Sequence, residues 1–215
     1  MLTLPLLRKM LNRAGTELKA NSKYLCELDS VAGDGDHGIT IGRMADVMKE
    51  KTEDTTIDTM RVLLDELGDA FMGINGGSAG PLWGTVFTGM AEGIDDQAEL
   101  TDLELRKMFT QAKEDFMDIS KAKPGDKTMV DALYPAIDAI IETQGSLKEI
   151  MTAAAAAADA GAEQTSTMVA RFGRAKNMGE RSIGTKDPGA VSIAILFNGI
   201  CLLYTSPSPR DMRRS

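Results

Sequence analysis

Histidine and tryptophan each occur once in these 215 residues and cysteine only twice, and each scarcity removes a class of function. Cys26 and Cys201 cannot build the disulfide framework that a small secreted domain needs, while fourteen methionines suit a reducing interior. The expectation is a cytoplasmic protein. No apolar run approaches the roughly 20 residues of a membrane span, and Arg8 and Lys9 bring charge too early for a signal peptide, so no membrane partner is expected. Basic charge is in short supply as well. With 24 Lys+Arg against 32 Asp+Glu the net charge is -8, which argues against nucleic acid or an acidic lipid surface as the main partner. A phosphorylated small ligand stays open. Sustained two-residue alternation is also missing, so strands are not expected.

Helical periodicity fills that gap. Ile57, Met60, Leu64, Leu67, Phe71 and Ile74 recur at spacings of three and four, the mark of a helix with one buried face. Thr101 with Glu104 and Ser146 with Glu149 read as capping boxes, and Thr128 offers a third start. Helices are predicted near 4–20, 22–29, 38–50, 56–73, 81–93, 102–119, 129–143, 147–170 and 189–203. The fold class is all-α, in one domain over residues 1–200. Residues 201–215 resemble a translated sequencing adapter; Pro207 and Pro209 end any helix there, and the segment is read as a non-native tail.

Chemistry concentrates in four glycine-loosened segments beside predicted helix ends. In the first, Asp29, Asp34, Asp36 and the only histidine, His37, crowd one turn. Carboxylates so close stay ionised cheaply only beside a cation, and all-oxygen ligands suit a hard ion such as Mg²⁺. The spacing fails the EF-hand pattern, and a solvated Asp/Gly turn would carry the same residues. His37 then opens a helix whose free N–H groups favour an anion. The second segment, Asn75 to Thr85, is a glycine-rich link with Pro81 in a first turn, lacking the Gly-Lys-Ser/Thr ending of a Walker A loop. Its Trp83 reads more naturally as core than as a base-stacking group. In the third, Lys123 to Asp131, Met129 offers an adaptable surface for a base. The fourth, Gly173 to Gly189, is a long non-periodic stretch with Arg174, Lys176, Arg181 and Lys186 among its glycines.

In this order, Gly33-Asp34-Gly35-Asp36-His37-Gly38, Gly76-Gly77-Ser78-Ala79-Gly80-Pro81-Leu82, Gly125-Asp126-Lys127-Thr128-Met129 and Gly179-Glu180-Arg181-Ser182-Ile183-Gly184 with Asp187-Pro188-Gly189-Ala190 resemble the nucleotide-binding L subunits of dihydroxyacetone kinase. The resemblance implies an antiparallel barrel of about eight helices with the nucleotide at one end. It implies ADP or ATP with two Mg²⁺ ions held by Asp29, Asp34 and Asp36. It further implies phosphate contacts at His37, Gly38, Ile39, Thr40, Ser78 and Ala79, a base bordered by Ser120 and Met129, Arg174 approaching the nucleotide, and closure by Asp187, Pro188 and Gly189. The substrate would sit on a separate K subunit, with a phosphotransferase-system M subunit as phosphoryl donor; a homodimer is left open. Two rivals share these motifs: an L-type domain of an ATP-dependent kinase for another small keto-sugar, and a nucleotide-binding module that regulates without catalysis.

Overall fold

The computed structural model describes residues 1–205, with side chains described through Cys201. Among these residues nine α-helices carry the fold: α1 (Leu4–Ala20), α2 (Ser22–Asp29), α3 (His37–Glu53), α4 (Met60–Met72), α5 (Ala79–Glu92), α6 (Asp102–Ile119), α7 (Val130–Glu142), α8 (Leu147–Gln164) and α9 (Pro188–Thr205). The all-α expectation holds. One minor exception is a pair of two-residue strands, β1 (Leu2–Thr3) and β2 (Glu99–Leu100), paired antiparallel. The tail expected over 201–215 lies outside the described residues from 206 onward, and α9 passes the expected boundary at residue 200.

Local chemistry sets several helix boundaries. Thr101 with Glu104 and Ser146 with Glu149 form the two reciprocal capping boxes that their spacing predicts. Thr128 falls one residue short of the predicted role: its hydroxyl accepts from the Val130 N–H at 3.2 Å, while Met129 occupies the cap position. The predicted helix over 56–73 begins only at Met60, because the Thr59 hydroxyl accepts from Val62 N–H. Ile57 still packs into the core from outside the helix. Likewise, the helix predicted over 147–170 ends at Gln164.

Contacts between elements run α1–α3–α4–α5–α6–α7–α8–α9 and back to α1, a closed order around one apolar core, with the short α2 lying against α3. Phe71 anchors part of that core, meeting Trp83 and Phe87 edge-on at 6.4 and 5.0 Å between ring centroids. Trp83 is only 1% exposed, so it is a packing residue.

Long-range hydrogen bonds sort the connections into two sets. Arg8 donates to the carbonyls of Thr52, Asp54 and Ile57, and Arg106 to those of Ile140, Ile141 and Thr143. Thr52, Ile140 and Ile141 lie in the last turns of α3 and α7, whose carbonyls lack helical partners, and Asp54, Ile57 and Thr143 lie in the connections that follow. The connections after α2, α4, α6 and α8 form the other set, linked to one another or to the starts of α3 and α9. Those are the four segments singled out by sequence. Among the described residues, no helix is long and apolar enough to cross a membrane.

Candidate functional site

The α2–α3 turn is built around Asp29. Its Oδ2 accepts from the backbone N–H of Asp36 at 3.0 Å and of His37 at 3.3 Å, so a residue ending one helix caps the start of the next. Gly35, at φ 76, supplies the left-handed bend between them. The turn thereby gathers three carboxylates: one oxygen each from Asp29, Asp34 and Asp36, all within 4.8 Å of one another. Arg174 reaches across from the α8–α9 loop and pairs with Asp34. Its hydrogen bond holds the Asp34 carboxyl below the usual range and, reciprocally, holds the guanidinium above its own. Asp36 is pushed the other way, by burial and then by the charges of Asp34 and Asp29. One guanidinium thus answers three carboxylates. The uncompensated charge and the all-oxygen donor set fit a hard divalent cation.

An anion-favouring surface lies beside it. Thr40, in the first turn of α3, is 2% exposed and packs under Gly76 of the α4–α5 turn; a Cβ on Gly76 would sit 2.1 Å from Thr40 Oγ1. Arg43 ties down the same turn by donating to the Asn75 carbonyl at 2.9 Å. The N-termini of α3 and α5 are therefore held side by side; at α3 the His37 N–H goes to Asp29 and those of Ile39 and Thr40 go to the Asp36 carbonyl, so Gly38 keeps the free donor of that turn among the described residues. Exposed Ser78 stands at the cap of α5 with no side-chain cap bond, next to half-buried Ala79. Ile39 projects outward, 54% exposed.

His37 is pinned between α3 and α9. Its Nε2 lies 3.1 Å from Ser192 Oγ. Burial lowers its basicity, outweighing the pull of Asp29. A ring so fixed and so weakly basic serves as a strut rather than a phosphoryl carrier.

A third side comes from the starts of α7 and α9. A Cβ on Gly189 would be 3.4 Å from Met129 Cβ and 3.0 Å from Asp187 Oδ2, so Met129, Asp187 and Gly189 are neighbours. The Asp187 carboxylate accepts from Ala190 N–H at 2.8 Å, capping α9. Ser120 bonds within its own connection: its hydroxyl accepts from Ala122 N–H at 3.3 Å.

Comparison with known proteins gives the family. The DAK2 domain model matches residues 31–202. The chain belongs to the DAK2 domain family. Among similar proteins, the ADP-binding subunit of PEP-dependent dihydroxyacetone kinase from Escherichia coli is 35% identical over 195 residues, spanning 89% of this chain and 93% of that protein. L-erythrulose kinase from Pectobacterium atrosepticum is 36% identical over 203 residues, spanning 91% of this chain but only 34% of that protein. The crystal structure of the dihydroxyacetone kinase from C. freundii in complex with AMP-PNP and Mg²⁺ superposes with a TM-score of 0.70 at 26% identity, over 92% of this chain and 34% of that one.

Within this DAK2 domain, Arg43, Asp131 and Ser192 belong to the site's framework although sequence gave no cue to them. Asp131 accepts from the N–H groups of Gly125 and Thr128, holding the turn before α7 in shape. Asp187 also carries a pH consequence. Burial pushes its carboxyl up to about 7. A carboxyl whose proton affinity is higher folded than unfolded contributes stability at low pH, and that contribution fades as pH rises from about 4 through about 7. Relative to Asp187→Asn, the wild-type DAK2 domain should lose about 4 kcal/mol across that window, read as the difference between urea-unfolding free energies. Parallel pH profiles for the two proteins would contradict a buried, proton-retaining Asp187.

Proposed function

We propose that this chain is the ADP-binding subunit of a dihydroxyacetone kinase and holds Mg-bound ADP or ATP at the end of the helical ring where the α2–α3, α4–α5, α6–α7 and α8–α9 connections meet. The observation that carries this reading is the acidic turn: three carboxylates within 4.8 Å of one another, set directly before the N-terminus of α3. The names of the Escherichia coli relative and the C. freundii complex, which mention ADP, AMP-PNP and Mg²⁺, support it.

In this reading Asp29, Asp34 and Asp36 hold two Mg²⁺ ions. When bound, magnesium supplies neutralisation of the diphosphate oxygens and in-line alignment for phosphoryl transfer. The backbone N–H groups of Gly38, Ser78 and Ala79 orient the phosphates, with His37, Ile39 and Thr40 lining the same helix start. Met129 and Ser120 border the base, Arg174 approaches the phosphates from the loop, and Asp187, Pro188 and Gly189 close the site. This chain orients and neutralises, and His37, held against Ser192, is not used as a phosphoryl carrier. The acceptor, dihydroxyacetone, belongs on a separate K subunit, and an M subunit of the phosphotransferase system recharges the nucleotide, all in the cytoplasm.

Native mass spectrometry of freshly purified protein, without added nucleotide, is the test. Bound ADP with two magnesium ions is expected, and none after Asp34→Ala. A wild-type chain that is empty and also ignores added Mg·ADP removes the proposal. The relation to L-erythrulose kinase favours a second reading, in which the same nucleotide site serves a keto-tetrose. Coupled assays with a K-type partner, offering dihydroxyacetone and L-erythrulose side by side, separate the two.

A further inference from the structure

Lys127 is the most unusual side chain outside the acidic turn. It is 4% exposed, and at φ 60 it is the one non-glycine residue with positive φ among those described. L-residues adopt that conformation at a cost, and an ammonium group is rarely buried without full compensation. Here the compensation is complete: Nζ donates to the carbonyls of Thr165 at 2.8 Å, Ser182 at 2.6 Å and Thr185 at 2.5 Å. An ammonium has three N–H donors, and three carbonyls converge on it. No neutral side chain supplies three donors from one atom.

The three carbonyls sit at the two feet of one loop. Thr165 follows the end of α8, and Ser182 and Thr185 lie just before the start of α9. Lys127, from the α6–α7 connection, therefore pins both feet at one point. Other bonds fasten the same base. Gly184 N–H donates to the Ser166 carbonyl at 2.7 Å, Ala170 N–H to Ser182 Oγ at 2.9 Å, and Arg171 N–H to the Asp126 carbonyl at 3.1 Å. The loop so clamped carries Arg174, which crosses to Asp34 in the acidic turn. It also leads into Asp187, whose N–H donates to Thr165 Oγ1 at 2.9 Å and whose carboxylate charge acts on Lys127.

We propose that Lys127 is a positioning residue for the nucleotide: its ammonium clamps the base of the 165–187 loop and thereby holds Arg174 over the acidic turn. This rests on the Mg·ADP reading above. Since its hydrogen bonds go to loop carbonyls and to no core helix interior, losing them should loosen the loop while the helical ring stays folded.

The test compares Lys127→Met, which keeps the length and loses the donors, with Lys127→Arg, which returns N–H groups, in the full chain. Hydrogen exchange followed by mass spectrometry should show protection lost over residues 165–187 in Lys127→Met and retained elsewhere, with partial recovery in Lys127→Arg. Mg·ADP affinity by calorimetry should fall at least tenfold in Lys127→Met. Arg174→Ala added to Lys127→Met should weaken binding less than twofold further, though alone it weakens binding several-fold, because both act through one loop. Unchanged affinity in a folded Lys127→Met, additive effects of the two substitutions, or global loss of protection in both Lys127 variants would each overturn the proposal. If the wild type does not bind Mg·ADP, the nucleotide reading fails, and the exchange pattern still decides whether Lys127 clamps the loop.

Discussion

Asp36→Asn is expected to make the ligand-free protein slightly more stable and its hold on Mg·ADP about a hundredfold weaker. The opposite signs come from one cause. Asp29, Asp34 and Asp36 bring three carboxylate oxygens within 4.8 Å, and Arg174 pairs with Asp34 alone. Burial and the like charges of Asp34 and Asp29 already disfavour an ionised Asp36. A folded-state proton affinity raised in this way removes stability as pH rises past the ordinary carboxylate range, so at neutral pH the ligand-free protein bears the full cost. Asparagine relieves it. Because Asp36 is exposed, water screens the repulsion and the gain should stay at about half a kcal/mol or less. With metal and nucleotide the balance reverses, since an amide oxygen is a poor substitute for an ionised ligand to a hard cation. Thermal unfolding with EDTA, and again with saturating Mg·ADP, reads both signs: ligand at a hundred times its Kd adds about 2.7 kcal/mol to the wild type and little to the variant. An Asp36→Asn protein that is destabilised without ligand, or that gains as much from Mg·ADP as wild type does, would remove the picture of a repulsive turn built for a cation.

How much of this was legible in the sequence depended on range. The helices were, because their cause is local: the three-and-four spacing of apolar residues and the capping boxes at Thr101 and Ser146 act within one or two turns. The overrun past Gln164 has a tertiary cause. Apolar letters return at Met168, Val169 and Ala170, yet the Thr165 carbonyl is taken by Lys127, and Thr165 Oγ1 both donates to the Ala162 carbonyl and accepts from Asp187 N–H. Nothing between residues 160 and 170 announces that tie. The strand pair β1–β2 is too short for a two-residue period to register.

The site divides along the same line. The carboxylate trio was readable because Asp29, Asp34 and Asp36 share one turn. Arg43, Ser192 and Lys127 were not readable as framework residues. Their partners lie 32, 155 and 38 to 58 positions away, across the ring. Thr40 shows the reverse limit: the resemblance pointed it to phosphate, but its side chain is buried under Gly76 and its backbone N–H donates to the Asp36 carbonyl at 3.1 Å.

Gly38→Ala should be the most damaging single-methyl change at the site, costing at least about 3 kcal/mol of stability and lowering Tm by roughly 6–12 °C. Gly38 lies in the first turn of α3, where alanine is ordinarily the better helix former. Packing outweighs that preference. A Cβ on Gly38 would lie 1.8 Å from the Ser22 carbonyl oxygen and 2.8 Å from Cys26 Sγ, both on α2. The nearer atom is backbone and cannot rotate aside, so α2 and α3 must move apart. Asp29 ends α2, and its carboxylate caps the start of α3 through Asp36 and His37; separating the helices breaks that cap and spreads the acidic turn. Mg·ADP affinity should fall with stability. Alanine keeps the backbone N–H that would face a phosphate, so instability measured without nucleotide isolates the packing cause from the binding one. If Gly38→Ala unfolds within about 2 °C of wild type in the absence of ligand, the tight α2–α3 crossing is not what requires glycine at this position.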